Sequence, residues 1–205
     1  MLHLAATTGA RRGEICALRR SHFDRATSSL RVERGIVKHH GRKVDGPTKN
    51  RRRRTIALDP RSVQILTSRI EQADDIAATA DVRLIADPYL FALDLRGEEP
   101  WDPDTITQFF GRLRRRLALD GIEFKGLRRF TDTYGQELGF SLAQVSVRTG
   151  HDPAVAAKHY TGRVVESDRH LAEAIGNLIE PNQQLAETDS EFSPIFEASE
   201  HPDFM

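Results

Sequence analysis

The sequence predicts an α+β fold that is mostly α, with a small three-stranded antiparallel sheet near the N-terminus packed against a helical bundle. Three observations predict it. Apolar and polar residues alternate over residues 30–37, and a second strand-like run at 55–58 stops at Asp59-Pro60. Turn signals fall between these runs, at 39–43 and at Asp45-Gly46-Pro47. Beyond Pro60 the apolar residues recur at helical spacing instead.

In chain order, residues 11–20 predict a short helix, with Ile15 and Leu18 on one face and Thr8 or Gly9 at its entry. Residues 21–29 are turn-rich. Leu30, Val32 and Ile36 mark the first strand, 39–43 a hairpin and 55–58 the third strand. The last connection carries Thr48, Lys49 and the run Arg51, Arg52, Arg53, Arg54. Pro60 opens a helix over about 61–73, with Val63, Leu66 and Ile70 on one face. No element is assigned to 74–88, and Leu90, Phe91 and Leu93 read as a short buried run. Asp102-Pro103 starts a helix over about 104–118, and further helices follow at about 127–138, 141–149, 153–159 and 164–179. Residues 1–180 read as one domain. Residues 181–205 turn acidic and polar, with isolated Phe192, Phe196 and Phe204, and read as a flexible tail.

The chain has 205 residues, enough for one sizeable core. Its 39% hydrophobic and 29% charged content fits a soluble globular protein, and no apolar run approaches the ~20 residues that span a bilayer. The start lacks the pattern of a signal peptide. The single cysteine, Cys16, excludes an internal disulfide, so a cytoplasmic location is expected. No Cys/His spacing suggests a zinc site, and no metal, cofactor or small-molecule substrate is expected. Formal net charge is zero but unevenly spread. Residues 1–60 hold 15 Lys+Arg against 5 acids, whereas residues 181–205 hold 6 acids and no Lys or Arg. The basic N-terminal part suits a polyanion.

The residues with chemistry are scattered. Residues 125–160 contain Lys125, Arg128 and Arg129, then Gly150-His151, then His159-Tyr160. Arginine clamps phosphate oxygens through its planar fork, and tyrosine can form a covalent intermediate. Upstream stand Thr8-Gly9-Ala10-Arg11-Arg12-Gly13-Glu14 and the Thr48-Lys49 segment before Arg53-Arg54-Thr55-Ile56-Ala57-Leu58. Together these boxes resemble the catalytic domain of tyrosine recombinases, the phage integrases. Arg11 stands in the place of the first catalytic arginine, Lys49 in that of the hairpin lysine, and Lys125-Gly126-Leu127-Arg128 in that of the His-x-x-Arg box. Arg128 precedes His151 by 23 residues and His151 precedes Tyr160 by nine, both typical of the family.

The resemblance covers about residues 2–180. It implies site-specific DNA cleavage and rejoining through a 3′-phosphotyrosyl intermediate, with Tyr160 as nucleophile and Arg11, Lys49, Lys125, Arg128 and His151 as its catalytic partners. Arg12, Arg51, Arg52, Arg53, Arg54 and Arg129 are expected to contact DNA. The partners implied are double-stranded DNA and three further copies, a homo-tetramer on DNA in a full-length form. Relaxation by type IB topoisomerase-like chemistry stays open, because Lys125 replaces the usual histidine. A non-catalytic DNA-binding remnant also stays open. The family's separate core-binding domain is expected to be absent, with the catalytic domain clipped at its start.

Overall fold

Leu4, Ala5 and Ala6 put the first turns of the chain in the core, as part of a helix, α1 (Leu2–Thr8). The computed structural model describes residues 1–48, 53–150 and 164–179. The left-handed Gly9 closes α1 and does not open the next helix. Arg11 is the N-cap of α2 (Arg12–Cys16), and Glu14 reaches back to its backbone N–H at 2.8 Å. Helix α2 stops short of the predicted 11–20. Residues 18–20 leave it to join the loop at 88–90, where Leu90 N–H donates to Leu18 O at 2.8 Å and Arg20 N–H to Pro88 O at 3.0 Å.

The three-stranded antiparallel sheet is present, in the order β1 (Phe23–Asp24), β2 (Ser29–Val32), β5 (Arg54–Ala57). The strand expected over 30–37 is two strands. β2 ends at Val32, and β3 (Arg34–His39) pairs with β4 (Arg42–Pro47) in a separate hairpin. Leu30, Val32 and Ile36 all face the core, so the alternation runs through the break without showing it. Asp45-Gly46-Pro47 is strand rather than turn, opposite Ile36, Gly35 and Arg34. Pro47 is tolerated there as the last residue of a strand with one partner.

The hairpin is fastened to the body mostly by polar ties. Asp45 accepts from Arg34 Nε at 2.8 Å and from the Tyr89 hydroxyl at 2.6 Å, while the Arg19 guanidinium stacks on the Tyr89 ring at 3.8 Å. Lys38 reaches Asp102 at 3.1 Å and Lys43 reaches Glu99 at 2.5 Å. Its apolar anchor is Ile36, which packs where α2 comes closest. A Cβ on Gly13 would lie 2.4 Å from Ile36 O, so only glycine permits the approach.

Helix α3 (Pro60–Thr79) outruns the predicted 61–73. Its N-cap, Asp59, accepts from the Ser62 N–H at 2.9 Å and faces His3 Nε2 at 3.0 Å, tying α3 to α1. Leu90 and Phe91 are buried as expected, but Leu93 is exposed. Helix α4 (Pro103–Arg116) is capped by Asp102 and buries Ile106, and its Phe110 meets Phe124 edge to face at 5.7 Å. Then come α5 (Phe124–Glu137), α6 (Leu142–Thr149) and α7 (Val164–Ile179). One core joins α1, α2, the strands, α3 and α4. A smaller one of Val145, Leu171 and Ile175 joins α6 to α7. The helix expected at 153–159 and the tail at 181–205 lie outside the described residues. Among the described residues, no helix is long and apolar enough to cross a membrane.

Burial would raise the Asp59 carboxyl, but hydrogen bonds from His3 and Ser62 outweigh it and hold the group below its ordinary value. A carboxyl depressed in the folded state stabilises above the unfolded pKa of about 3.9 and loses that contribution as pH falls through the lower folded value. Urea unfolding of the protein is therefore expected to show constant stability from neutral pH down to about 5 and a decline below about 4. In Asp59→Ala, stability at neutral pH is expected to fall by roughly 1–3 kcal/mol and the acid slope to become shallower.

Candidate functional site

Helix α6 ends inside the protein, at Thr149 and a left-handed Gly150. Its last carbonyls have no donors within the helix. Three arginines supply them. Arg54 of β5 donates from Nε to Arg148 O at 3.0 Å. Arg128 of α5 donates from Nη1 to Thr149 O, and also to Gly9 O at 2.9 Å. Arg11, at the start of α2, donates from Nη2 to Gly150 O at 3.4 Å. Cations at this end also meet the negative pole of the helix dipole. Gly150 is required twice: its φ is 72°, and a Cβ there would lie 2.8 Å from Arg54 Nη1.

Glu14 stands between two of these arginines. Its carboxylate binds Arg54 Nη2 at 2.7 Å and Arg11 Nη1 at 2.9 Å. The side chains of Glu14 and Arg54 are 4% and 7% exposed. Burial raises the Glu14 pKa, but the hydrogen bond and charge of Arg54, joined by Arg11, outweigh it and leave the group below its ordinary value. Burial, followed by the charge of Arg11, pulls Arg128 down to about 10, which leaves it cationic at neutral pH.

Arg11, Arg12, Lys125 and Arg128 line one open cleft of about 340 Å³, with Thr107 and Glu123 on its walls. A neighbouring hollow of about 590 Å³ shares Arg11 and Arg12 and runs toward Thr48. Lys125 is exposed at the rim, with its ammonium 2.6 Å from the exposed Glu123. Arg12 is exposed and donates to the Thr107 hydroxyl at 2.5 Å. Arg129 is exposed, and Arg53 is 80% exposed with Glu33 at 3.8 Å. The cleft and these exposed arginines lie on described residues. The chemistry such a concave cationic site suits is phosphate binding, with planar forks already held in place.

Of the residues singled out from sequence, the fold brings Arg11, Arg12, Lys125 and Arg128 together. Arg54 differs from its neighbour Arg53: it points inward, because β5 alternates faces and Glu14 waits on the inner one. It is a buried support for Arg11 rather than a surface contact. Lys49, Arg51, Arg52, His151 and Tyr160 lie outside the described residues, directly after Thr48 and Gly150 or ahead of α7. Sequence reasoning missed Glu14, Arg148 and Asp168. Glu14 was findable as the acid three positions after a helix N-cap. Among the described residues, no group of three or more His, Cys, Asp or Glu could hold a metal ion.

Comparisons with known proteins bear on the family and the fold. The sequence pattern of the phage integrase family matches residues 1–166. A prophage phiRv2 integrase of Mycobacterium tuberculosis is 25% identical over 89% of this chain, which spans only 46% of that relative's length. Among solved structures, the Tn1549 transposon integrase in complex with a circular-intermediate DNA superposes with a TM-score of 0.61 at 16% identity, covering 84% of this chain and 57% of that one. The integrase of mycobacterium phage Brujita gives 0.54 at 20% identity, covering 91% and 54%. XerA recombinase gives 0.51 at 19% identity, covering 87% and 56%. These structures share the fold, while the sequence pattern covers most of the chain, which therefore belongs to the phage integrase family and has the fold of a tyrosine recombinase catalytic domain.

Proposed function

We propose that the chain is the catalytic part of a site-specific DNA recombinase that cuts and rejoins strands through a 3′-phosphotyrosyl intermediate. The observation that carries this reading is the convergence of Arg11 and Arg128, from distant parts of the sequence, on one cleft and on the α6 carbonyls just ahead of His151. The Tn1549 relative, solved on DNA, supports double-stranded DNA as the partner. A homo-tetramer on DNA, formed by the full-length protein, belongs to the same proposal.

The chemistry follows from the residues. A scissile phosphate in the cleft takes hydrogen bonds from Arg11 and Arg128 on its non-bridging oxygens, where the pentacoordinate transition state gathers charge. His151 donates a further bond there. Tyr160 Oη attacks phosphorus, so the tyrosyl P–O bond forms as the bond to the 5′ oxygen breaks. Lys49 gives the leaving oxygen its proton, and the phenol proton passes to a base or to water. Attack by a 5′ hydroxyl on the phosphotyrosine reverses the steps and rejoins the strand. Lys125, at the exposed rim, adds charge and a donor rather than a base. Arg12, Arg51, Arg52, Arg53 and Arg129 hold flanking phosphates.

A DNA duplex nicked beside the cleavage point tests this. Incubated with the protein, it is expected to give a covalent protein–DNA adduct that is absent in Tyr160→Phe. In Arg11→Lys and Arg128→Lys, adduct formation is expected to drop by roughly 10²-fold or more, since lysine lacks the fork. DNA binding with no adduct identifies a non-catalytic remnant. An adduct with plasmid relaxation but no strand exchange identifies topoisomerase-like chemistry.

A second expectation concerns Glu14. Glu14→Gln leaves two guanidinium groups short of a buried counter-charge, and its unfolding free energy is expected to fall by about 3 kcal/mol or more in denaturant titration.

A further inference from the structure

Arg148 lies three positions ahead of His151, yet its guanidinium turns away from the cleft and into the protein. Its side chain is 0% exposed, and four elements meet on it. Nε donates to Thr7 O of α1 at 2.8 Å, and Nη1 donates to Ala57 O of β5 at 3.1 Å. Nη1 also meets Asp168 of α7, at 2.5 Å from Oδ1 and 3.3 Å from its carbonyl. The other carboxylate oxygen of Asp168 accepts the Ala57 N–H, so the acid bridges Arg148 and β5. Among the described residues, the buried Nη2 of Arg148 has no hydrogen-bond partner, a cost the fold carries.

We propose that Arg148 and Asp168 form a positioning clasp for the segment that carries the nucleophile. The proposal rests on the reading of Tyr160 given above. His151 and Tyr160 both lie between the two clasped residues, so the pair pins the two ends of that segment at one point. Asp168 is the described side chain of α7 nearest to Tyr160 in sequence. The apolar anchors Leu171, Ala172 and Ile175 come after it. Eight positions separate Asp168 from Tyr160, a reach of ~12 Å if helical and at most about 28 Å if extended. Fixing Asp168 therefore bounds where the phenol can go.

The same residue touches the phosphate side. The Arg148 carbonyl accepts from Arg54, which is locked to Glu14, which holds Arg11. A chain of contacts thus runs from Asp168 of α7 through Arg148 and its carbonyl to Arg54, Glu14 and Arg11 at the cleft. A buried ion pair is weak evidence of added stability, since apolar residues of similar size often serve as well. What an apolar pair cannot supply is the directed set of bonds from one planar fork to three other elements.

The test separates positioning from mere stability. The double variant Arg148→Met/Asp168→Leu removes both buried charges together, which preserves folding far better than either single change. It is expected to bind DNA within about threefold of the parent, while the single-turnover rate of adduct formation on nicked DNA falls by roughly tenfold or more. Trypsin is expected to cut the folded variant at Lys158 or Arg163 about tenfold faster than the parent. Asp168→Glu, which keeps the charge but lengthens the arm, is the second variant and covers a double variant that does not fold. It is expected to slow the adduct step with unchanged DNA affinity. Folded variants with parental adduct rates and parental cleavage at Lys158 and Arg163 overturn the clasp. A parent that forms no adduct overturns the reading of Tyr160 instead, and the trypsin rates then decide separately whether the clasp holds its segment.

Discussion

A helix that ends inside a protein leaves carbonyl oxygens that must find donors, and at the end of α6 the donors are the guanidinium groups of Arg11, Arg54 and Arg128. This one requirement organises the site. It draws together residues from α2, β5 and α5. Arg11 and Arg128 both line the cleft. Lysine could neutralise the helix end but could not also present a fixed donor pair to a ligand.

At Glu14, beneath the cleft, the attraction of the arginines exceeds the cost of burial. Four arginines stand close together, and the Arg128 pKa is pulled down first by burial and then by the charges of Arg11 and Arg54. Glu14 opposes that shift from beneath Arg11 and Arg54, and Asp168 pairs with Arg148. Each is tied to backbone as well as to arginine: Glu14 accepts the Arg11 N–H and Asp168 the Ala57 N–H. Such full use of the lone pairs is what makes a buried carboxylate tolerable. It also makes these supports intolerant of substitution, because removing either acid strands a cation in the interior.

The fold class and the candidate cleft were legible in sequence for a definite reason. Spacing reports on local periodicity, and the arginine boxes sit at conspicuous turns and helix ends, as Arg11 beside Gly9 and Arg128 in α5 do. Local periodicity does not report partners. Leu30, Val32 and Ile36 keep one alternation across two sheets, so the break at Glu33 was invisible. Asp45-Gly46-Pro47 has strong turn composition, but pairing with residues 34–36 overrode it. Helix α1 is short and mostly small residues, and its evidence is tertiary, in contacts with α3, α5 and α7. Arg54 was hidden among four arginines; only the inner face of β5 distinguishes it. Arg148 and Asp168 are twenty positions apart and look like ordinary helix-surface charges until the fold joins them.

The β3–β4 hairpin is a unit outside the main sheet, held by Ile36 and by a belt of charged contacts. Ions in solution weaken such a belt, the exposed Lys38 tie first and the half-buried Lys43 and Asp45 ties last. The hairpin leads directly into Thr48 and the lysine after it. Ionic strength therefore acts on this protein through two separate routes. It screens the charges that line the cleft, and it slackens the strap from which the next segment of chain sets out.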